Sequence, residues 1–218
     1  VCLVEAARPS PWSAERPDLR VYALAPDNAA LLDALEAWRP VREARAQAYR
    51  RMQVWDAAGG DPIRFDADAL ARSELGWIVE HGLLVDVLWH ALQRSPVRVR
   101  CPARVEAMEQ DDDGVRLRLD DGTRVAAKIA IAADGAASRL RALAGIEVDG
   151  RDYAQQGVVA WVATERPHED TAWQRFLPTG PLALLPWVDG HCSIVWTLPS
   201  DEAARVLALD DAAFGREL

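Results

Sequence analysis

Residues 129–141 read IAIAADGAASRLR, an apolar run that ends at Asp134-Gly135 and continues to Ser138 and Arg141. A short, continuous apolar run bounded by turn residues is typical of a buried strand. Gly135 lets the backbone turn tightly and approach a ligand, and Ser138 suits the N-cap of a following helix. Arg141 can pair with Asp134 or with a phosphate. A ligand-binding turn and a plain strand-turn-helix corner explain these residues equally well.

The residues around this stretch predict a hairpin that leads into it. Residues 115–119 alternate apolar and charged side chains, as a half-buried strand does. Asp120-Asp121-Gly122 is a hairpin turn signal. We expect residues 124–133 to form the returning strand. A turn and a short helix over residues 134–143 follow, closed by Gly145.

The chain also opens on an apolar run, Val1-Cys2-Leu3-Val4, followed by Glu5. This run predicts a buried parallel strand. A carboxylate at the end of the second strand of a dinucleotide-binding fold accepts hydrogen bonds from ribose hydroxyls. A surface glutamate after an ordinary strand is the alternative. The companion G-x-G-x-x-G loop would precede Glu5 by about 20 residues and occurs nowhere in the chain, so we expect residues upstream of Val1.

The region between these two stretches mixes helices and strands. Asp27 is the predicted N-cap of a helix whose apolar stripe is Leu31, Leu35 and Trp38, and Pro40 is expected to end or bend it. Further predicted elements are a strand over residues 49–55, a hairpin partner over 63–65, a helix over 83–93 and a strand over 97–100.

After Gly150 the pattern changes to short strands separated by Pro, Gly and Asp, with a helical tail from residue 201. The predicted strands cover residues 157–164, 172–177, 182–185 and 192–198. The fold class is therefore α/β with α+β character: a partial Rossmann-like domain and a mostly antiparallel sheet.

Composition excludes several classes of protein. A net charge of −9 argues against a nucleic-acid-binding surface. The three cysteines and four histidines show no metal-ligand spacing, so no metal site is predicted. No apolar run reaches the roughly 18 residues of a membrane span.

Several blocks, in order, resemble one family. The strand followed by D-G-x-x-S-x-x-R at Asp134 is similar to the DG fingerprint of the class A flavoprotein monooxygenases, the para-hydroxybenzoate hydroxylase superfamily. Residues 153–160 (YAQQGVVA), 172–186 (AWQRFLPTGPLALLP) and 193–197 (SIVWT) resemble the ubiquinone-biosynthesis hydroxylases of that superfamily. The resemblance extends over essentially the whole chain.

The resemblance implies FAD as cofactor, NAD(P)H as reductant and a set of FAD-binding residues. Those residues are Glu5, Arg20, Asp134, Gly135, Ser138 and Arg141. Arg20 would reach the flavin, although a solvated arginine in a proline-rich loop is the alternative. His81 lies where relatives carry a polar flavin contact, and a helix-start histidine without a ligand explains it equally well. No side chain is assigned a catalytic role.

The resemblance also implies a division into domains. A partial FAD-binding domain comprises residues 1–46 and 71–147, and a discontinuous substrate domain comprises 47–70 and 148–218. The family's later Gly-Asp motif would lie after residue 218. We therefore expect the chain to be a central fragment that binds FAD poorly by itself.

The activity that the resemblance implies is hydroxylation of the aromatic ring of a polyprenyl phenol or quinol precursor in ubiquinone biosynthesis. The partners would be that lipophilic substrate and other ubiquinone-biosynthesis proteins, with no nucleic acid. The location would be cytoplasmic, with contact to the inner membrane peripheral at most. The alternatives are another hydroxylase or dehydrogenase of the same fold and a non-catalytic scaffold in a biosynthetic assembly.

Overall fold

The computed structural model describes all residues from Val1 to Leu218. The chain divides into two compact units, one of Val1–Ser10 with Leu92–Arg151 and one of Pro11–Ala91 with Asp152–Leu218. This division by compactness is not the division into FAD-binding and substrate domains expected above, which stays a prediction.

The first unit holds two small sheets and one short helix. Its elements are β1 (Cys2–Val4), β7 (Arg98–Arg100), β8 (Val105–Asp111), β9 (Gly114–Leu119), β10 (Arg124–Ala127) and α4 (Arg139–Leu143). β1 pairs in parallel with β7, and β9 lies between β8 and β10 in an antiparallel sheet. The parallel pairing of β1 is confirmed. The expected burial is wrong, because β7 is its one partner strand and Cys2 and Leu3 remain exposed.

The predicted hairpin around β9 is confirmed. Val115 and Leu119 are buried while Arg116 and Arg118 face solvent, as the alternating pattern requires. Gly122 has a φ of 81° at the predicted turn, a left-handed conformation that glycine adopts without steric cost.

The returning strand is shorter than predicted. β10 ends at Ala127, and residues 128–133 form no strand. Ile129 and Ile131 are 78% and 85% exposed. An apolar sequence favours a strand only when neighbouring strands satisfy its backbone and bury its side chains, and residues 128–133 pair with no strand.

The second unit contains the larger elements. Its strands are β2 (Val21–Leu24), β3 (Ala46–Tyr49), β4 (Arg51–Asp56), β5 (Ile63–Asp66), β6 (Gly76–Glu80), β11 (Gln155–Ala163), β12 (Thr171–Leu177), β13 (Gly180–Pro186) and β14 (His191–Pro199). Its helices are α1 (Pro26–Ala34), α2 (Trp38–Arg45), α5 (Ser200–Leu207) and α6 (Asp211–Glu217), together with α3 (His81–Gln93), of which the residues up to Ala91 belong to this unit.

A six-stranded sheet has the order β11-β14-β13-β12-β4-β5. The four predicted strands after Gly150 and the β4–β5 hairpin are confirmed. All its pairs are antiparallel except the parallel pair of β4 and β12. α5 packs Ala203 and Val206 against an apolar cluster from β11, β13 and β14.

A three-stranded antiparallel sheet, β2-β6-β3, packs with α1, α2 and α3. The single helix predicted around Leu31 is two helices in the structure. Glu36 has a φ of 56°, which interrupts the helix before Pro40. Pro40 lies in the first turn of α2, where the missing N–H costs little.

The predicted N-cap is wrong, and of the three predicted stripe residues only Trp38, which lies in α2, is buried. Ala25 is the N-cap residue, and Asp27 lies inside the first turn. Leu31 and Leu35 are exposed, whereas Leu32 is buried. The break near Glu36 places Trp38 in a different helix from Leu31 and Leu35, so the three share no single face, and Ala29 and Leu32 form the buried face of α1.

No helix of the structure combines the length and apolarity needed to cross a membrane.

Candidate functional site

Asp134 and the turn after it are held by local hydrogen bonds. The Ser138 hydroxyl donates to Asp134 Oδ1, and the backbone N–H of Leu140 donates to Asp134 Oδ2 over 3.1 Å. Gly135 has a φ of 81°, and no atom lies within 4 Å of the position a Cβ would occupy. The turn therefore requires glycine for its conformation and leaves open space beside the backbone.

Ser138 caps α4, as the sequence predicts. Its Oγ accepts the backbone N–H of Arg141 over 3.0 Å, and the residue is buried. The Arg141 guanidinium donates to the Ala136 carbonyl over 2.9 Å, so it makes no pair with Asp134. The other sequence alternative for Arg141, a phosphate contact, stays a prediction.

The hydrogen bond from Ser138, followed by that from the Leu140 N–H, holds the pKa of the Asp134 carboxyl below its ordinary value of 3.8. Hydrogen bonds donated to a carboxylate favour its charged form. Asp134 is therefore an anion at neutral pH and can accept further hydrogen bonds.

A cavity of about 580 Å³ adjoins this turn. Three of the predicted site residues, Gly135, Ser138 and Arg141, lie in its wall together with residues of β8, β9 and the 128–132 segment. The structure thus brings these three together at one concave surface of the first unit.

Glu5 stands directly after β1, at the carboxyl end of the parallel pair with β7. Its backbone N–H donates to the Arg100 carbonyl and its carbonyl accepts from Ala103, each over 2.9 Å. Its Oε1 accepts the N–H of Ala7 over 3.2 Å. The carboxylate is half-buried at a fixed strand end, where a ribose hydroxyl could donate to it.

Arg20 and His81 lie side by side in the second unit. The His81 backbone N–H donates to the Arg20 carbonyl over 2.9 Å, and His81 is the first residue of α3. The Tyr22 hydroxyl lies 2.8 Å from His81 Nδ1, with the rings edge to face. Arg20 is exposed and its guanidinium forms no ion pair. Tyr22 was missed by sequence reasoning, since a tyrosine in a strand carries no motif.

Sequence reasoning also missed a buried carboxylate. Glu80 ends β6, is fully buried and contacts Trp12, Asp18 and Arg45. The one signal in the sequence is a glutamate that closes the otherwise apolar strand GWIVE, because fully buried acidic residues are rare unless paired.

The residues present fit part of a dinucleotide. Glu5 supplies an accessible acceptor at a strand end, and Gly135 leaves room for close approach of a ligand. A diphosphate is expected to accept hydrogen bonds from a glycine-rich loop that leads into a helix. The 218 residues contain no such glycine-rich motif.

Comparison with known proteins agrees with this chemistry. A family model described as FAD binding domain matches residues 7–208. The chain is 37% identical over 213 residues to 3-demethoxyubiquinol 3-hydroxylase of Escherichia coli strain K12, which covers 97% of this chain and 54% of that protein. It is 35% identical over 227 residues to the mitochondrial ubiquinone biosynthesis monooxygenase COQ6 of Xenopus tropicalis, covering 98% of this chain and 48% of that protein.

The fold is shared with solved structures. A crystal structure of a PqsL mutant from P. aeruginosa superposes with a TM-score of 0.76 at 20% identity, over 95% of this chain and 56% of that one. The chain spans about half the length of the curated relatives it matches. Because the family model covers most of the chain, this protein belongs to the FAD binding domain family.

Proposed function

We propose that this chain is part of a FAD-dependent monooxygenase that hydroxylates the aromatic ring of a polyprenyl phenol or quinol precursor in ubiquinone biosynthesis. The observation that carries the proposal is the 37% identity to 3-demethoxyubiquinol 3-hydroxylase across 97% of this chain. The second relative, which is named ubiquinone biosynthesis monooxygenase COQ6, supports the same activity.

Within the first unit, Glu5 and the turn at Asp134 are the proposed FAD contacts. Glu5 accepts hydrogen bonds from ribose hydroxyls. Gly135 admits the cofactor close to the backbone, and Ser138 orients Asp134 so that its anionic carboxylate accepts from the ligand. Arg141, whose guanidinium already donates to the Ala136 carbonyl, retains donors for a phosphate.

Within the second unit, Arg20 is the proposed flavin contact. Its guanidinium is exposed and forms no ion pair, so its donors are available to a carbonyl or phosphate oxygen. His81, beside the Arg20 carbonyl, is a second polar group in the same place.

Bound FAD would supply the oxygen chemistry, and NAD(P)H is the proposed reductant. The side chains of this chain bind and orient the cofactor, and none is assigned as an acid or base. The proposed partners are the lipophilic substrate and other ubiquinone-biosynthesis proteins. The proposed location is the cytoplasm, with contact to the inner membrane peripheral at most.

The complete gene product tests this proposal. We expect it to purify with FAD and to consume NAD(P)H and O2 while adding a hydroxyl to a prenylated phenol. Mass spectrometry of the reaction product detects the added hydroxyl. Loss of a hydrogen bond to a charged group corresponds to a change of roughly 10- to 100-fold in affinity. We expect Asp134→Ala to weaken FAD binding by that factor.

Asp149→Ala is the matched control, because Asp149 is exposed in the same unit and does not line the cavity beside Gly135. If the complete gene product binds FAD but hydroxylates only small aromatic acids, those acids replace polyprenyl phenols or quinols as the proposed substrate class. A product that binds no flavin would refute the proposal.

A further inference from the structure

We propose that Glu80 is a positioning residue that fixes the irregular segment 11–20 and thereby sets the place of Arg20. The inference rests on the proposed role of Arg20 as a flavin contact. Glu80 itself touches no ligand in this scheme, because it is fully buried. Its effect is transmitted through the segment that it holds.

The Glu80 carboxylate accepts hydrogen bonds from three residues, two in segment 11–20 and one in α2. Trp12 Nε1 donates to Oε2 over 3.0 Å, and the backbone N–H of Asp18 donates to the same oxygen over 2.9 Å. The Arg45 guanidinium donates to Oε1 over 2.8 Å. Two of these donors belong to segment 11–20, which has no helix or strand of its own.

Arg45 holds the same segment a second time. Its second terminal nitrogen donates to the Ala14 carbonyl over 2.6 Å, and its Cζ lies 5.3 Å from the centre of the Trp12 ring. The first distance suits a charge-assisted hydrogen bond, and the second suits a cation–π contact. Segment 11–20 is thus attached at Trp12, Ala14 and Asp18 to the ends of α2 and β6.

The Asp18 carboxylate connects the backbone of Arg20 to the start of α3. Its Oδ1 accepts the Arg20 N–H over 2.9 Å, and its Oδ2 accepts the Gly82 N–H at the start of α3 over 3.1 Å. The Asp18 backbone is held by Glu80, so its carboxylate is correctly placed for both. A contiguous set of hydrogen bonds therefore leads from Glu80 to the Arg20 backbone.

A carboxylate is required at position 80. Each of its contacts is a donor, and one donor carries a charge. A glutamine of the same shape would place an NH2 group against one of these donors and would leave Arg45 without its counter-charge, which is unfavourable in a buried site.

Hydrogen exchange measured by mass spectrometry on this chain without ligand tests the attachment. We expect Glu80→Gln to speed exchange of the Asp18, Arg20 and Gly82 amides by roughly 10- to 100-fold, the factor for losing hydrogen bonds to charged groups. Glu43→Gln is the matched control, because Glu43 makes an exposed pair with Arg39 in α2. Unchanged exchange in a folded Glu80→Gln protein overturns the inference.

Asp18→Asn provides a second, milder variant in case Glu80→Gln fails to fold. Asparagine keeps one acceptor oxygen, so one of the two bonds to Arg20 and Gly82 is lost. We expect faster exchange at one or both amides, while peptides from the six-stranded sheet exchange as before. Exchange at Arg20 and Gly82 that matches the unchanged protein contradicts the proposed relay.

A double-mutant cycle in the complete gene product tests whether Glu80 acts through Arg20. We expect Glu80→Gln and Arg20→Ala each to weaken FAD binding by roughly tenfold, and the double variant to be little weaker than either single one, because coupled residues are not additive. Roughly hundredfold weakening in the double variant would mean independent effects and would overturn the inference.

The two experiments separate this inference from the proposed function. If the complete gene product binds no FAD, the proposed function fails while the exchange result still decides the attachment of segment 11–20. If FAD binds and Arg20→Ala leaves its affinity unchanged, Arg20 is not a flavin contact and the positioning role of Glu80 is refuted.

Discussion

Ser138 connects two features of the Asp134 turn. Its hydroxyl donates to the Asp134 carboxylate and its oxygen accepts the Arg141 N–H at the start of α4. The capping role was predictable, because a serine after a turn and before a helical stretch is a common N-cap. The bond to Asp134 was not, since it depends on a backbone turn that brings residues four apart face to face.

We expect Ser138→Ala to lower the free energy of unfolding by about 1 kcal/mol, the usual cost of losing an N-cap hydroxyl. Chemical denaturation followed by circular dichroism measures it. Ser10→Ala is the control, because Ser10 is exposed in an irregular segment of the same unit. Equal stability of the two variants would show that the cap contributes nothing.

Asp134 makes the stability of this turn depend on pH. Because its pKa is lowered in the folded protein, the unfolded chain binds the proton first as pH falls. The stabilisation is complete above the ordinary value of 3.8 and is lost as pH falls through the lower, folded value. We expect Asp134→Asn to be less stable than the unchanged chain at pH 7 and the difference to shrink below about pH 4. Urea titrations at pH 7 and pH 3 compare the two, and a difference independent of pH would contradict this account.

At the scale of elements, alternation in the sequence was a better guide than apolar runs. The alternating residues of β9 have the predicted faces. The apolar run at residues 129–133 forms no strand, because its state depends on a neighbouring strand and no strand pairs with it. β1 is exposed because β7 is the one strand that pairs with it.

The exposure of residues 129–133 predicts tolerance to substitution. We expect Ile131→Asn to change the free energy of unfolding of this chain by less than about 0.5 kcal/mol, as at ordinary surface positions. Ile194→Ala, at a fully buried position of β14, should cost about 2–5 kcal/mol. Thermal or denaturant unfolding measures both. Strong destabilisation by Ile131→Asn would mean that this segment is buried in solution.

At the scale of the whole molecule, cofactor binding is the property to measure. We expect the 218-residue chain to bind FAD only weakly, because no glycine-rich loop for a diphosphate occurs in its sequence. Flavin fluorescence during titration measures this, with the complete gene product in parallel. Saturable micromolar binding by the shorter chain would show that other residues supply the diphosphate contacts.

The sequence by itself determined β9, the strands after Gly150, the helix over residues 83–93, the hairpin turns, the cap at Ser138 and, through several ordered blocks, the family. These features depend on neighbours along the chain. The tertiary structure alone decided the break near Glu36, the parallel pairing of β4 with β12 and the exposure of residues 129–133.

Only the tertiary structure also revealed the contacts of Glu80. Its donors come from Trp12, Asp18 and Arg45, which lie between 35 and 68 positions away in the chain. No local pattern specifies partners at such separations. They become neighbours only when β6, α2 and segment 11–20 pack together and remove the carboxylate from water, where its charge must be matched by donors.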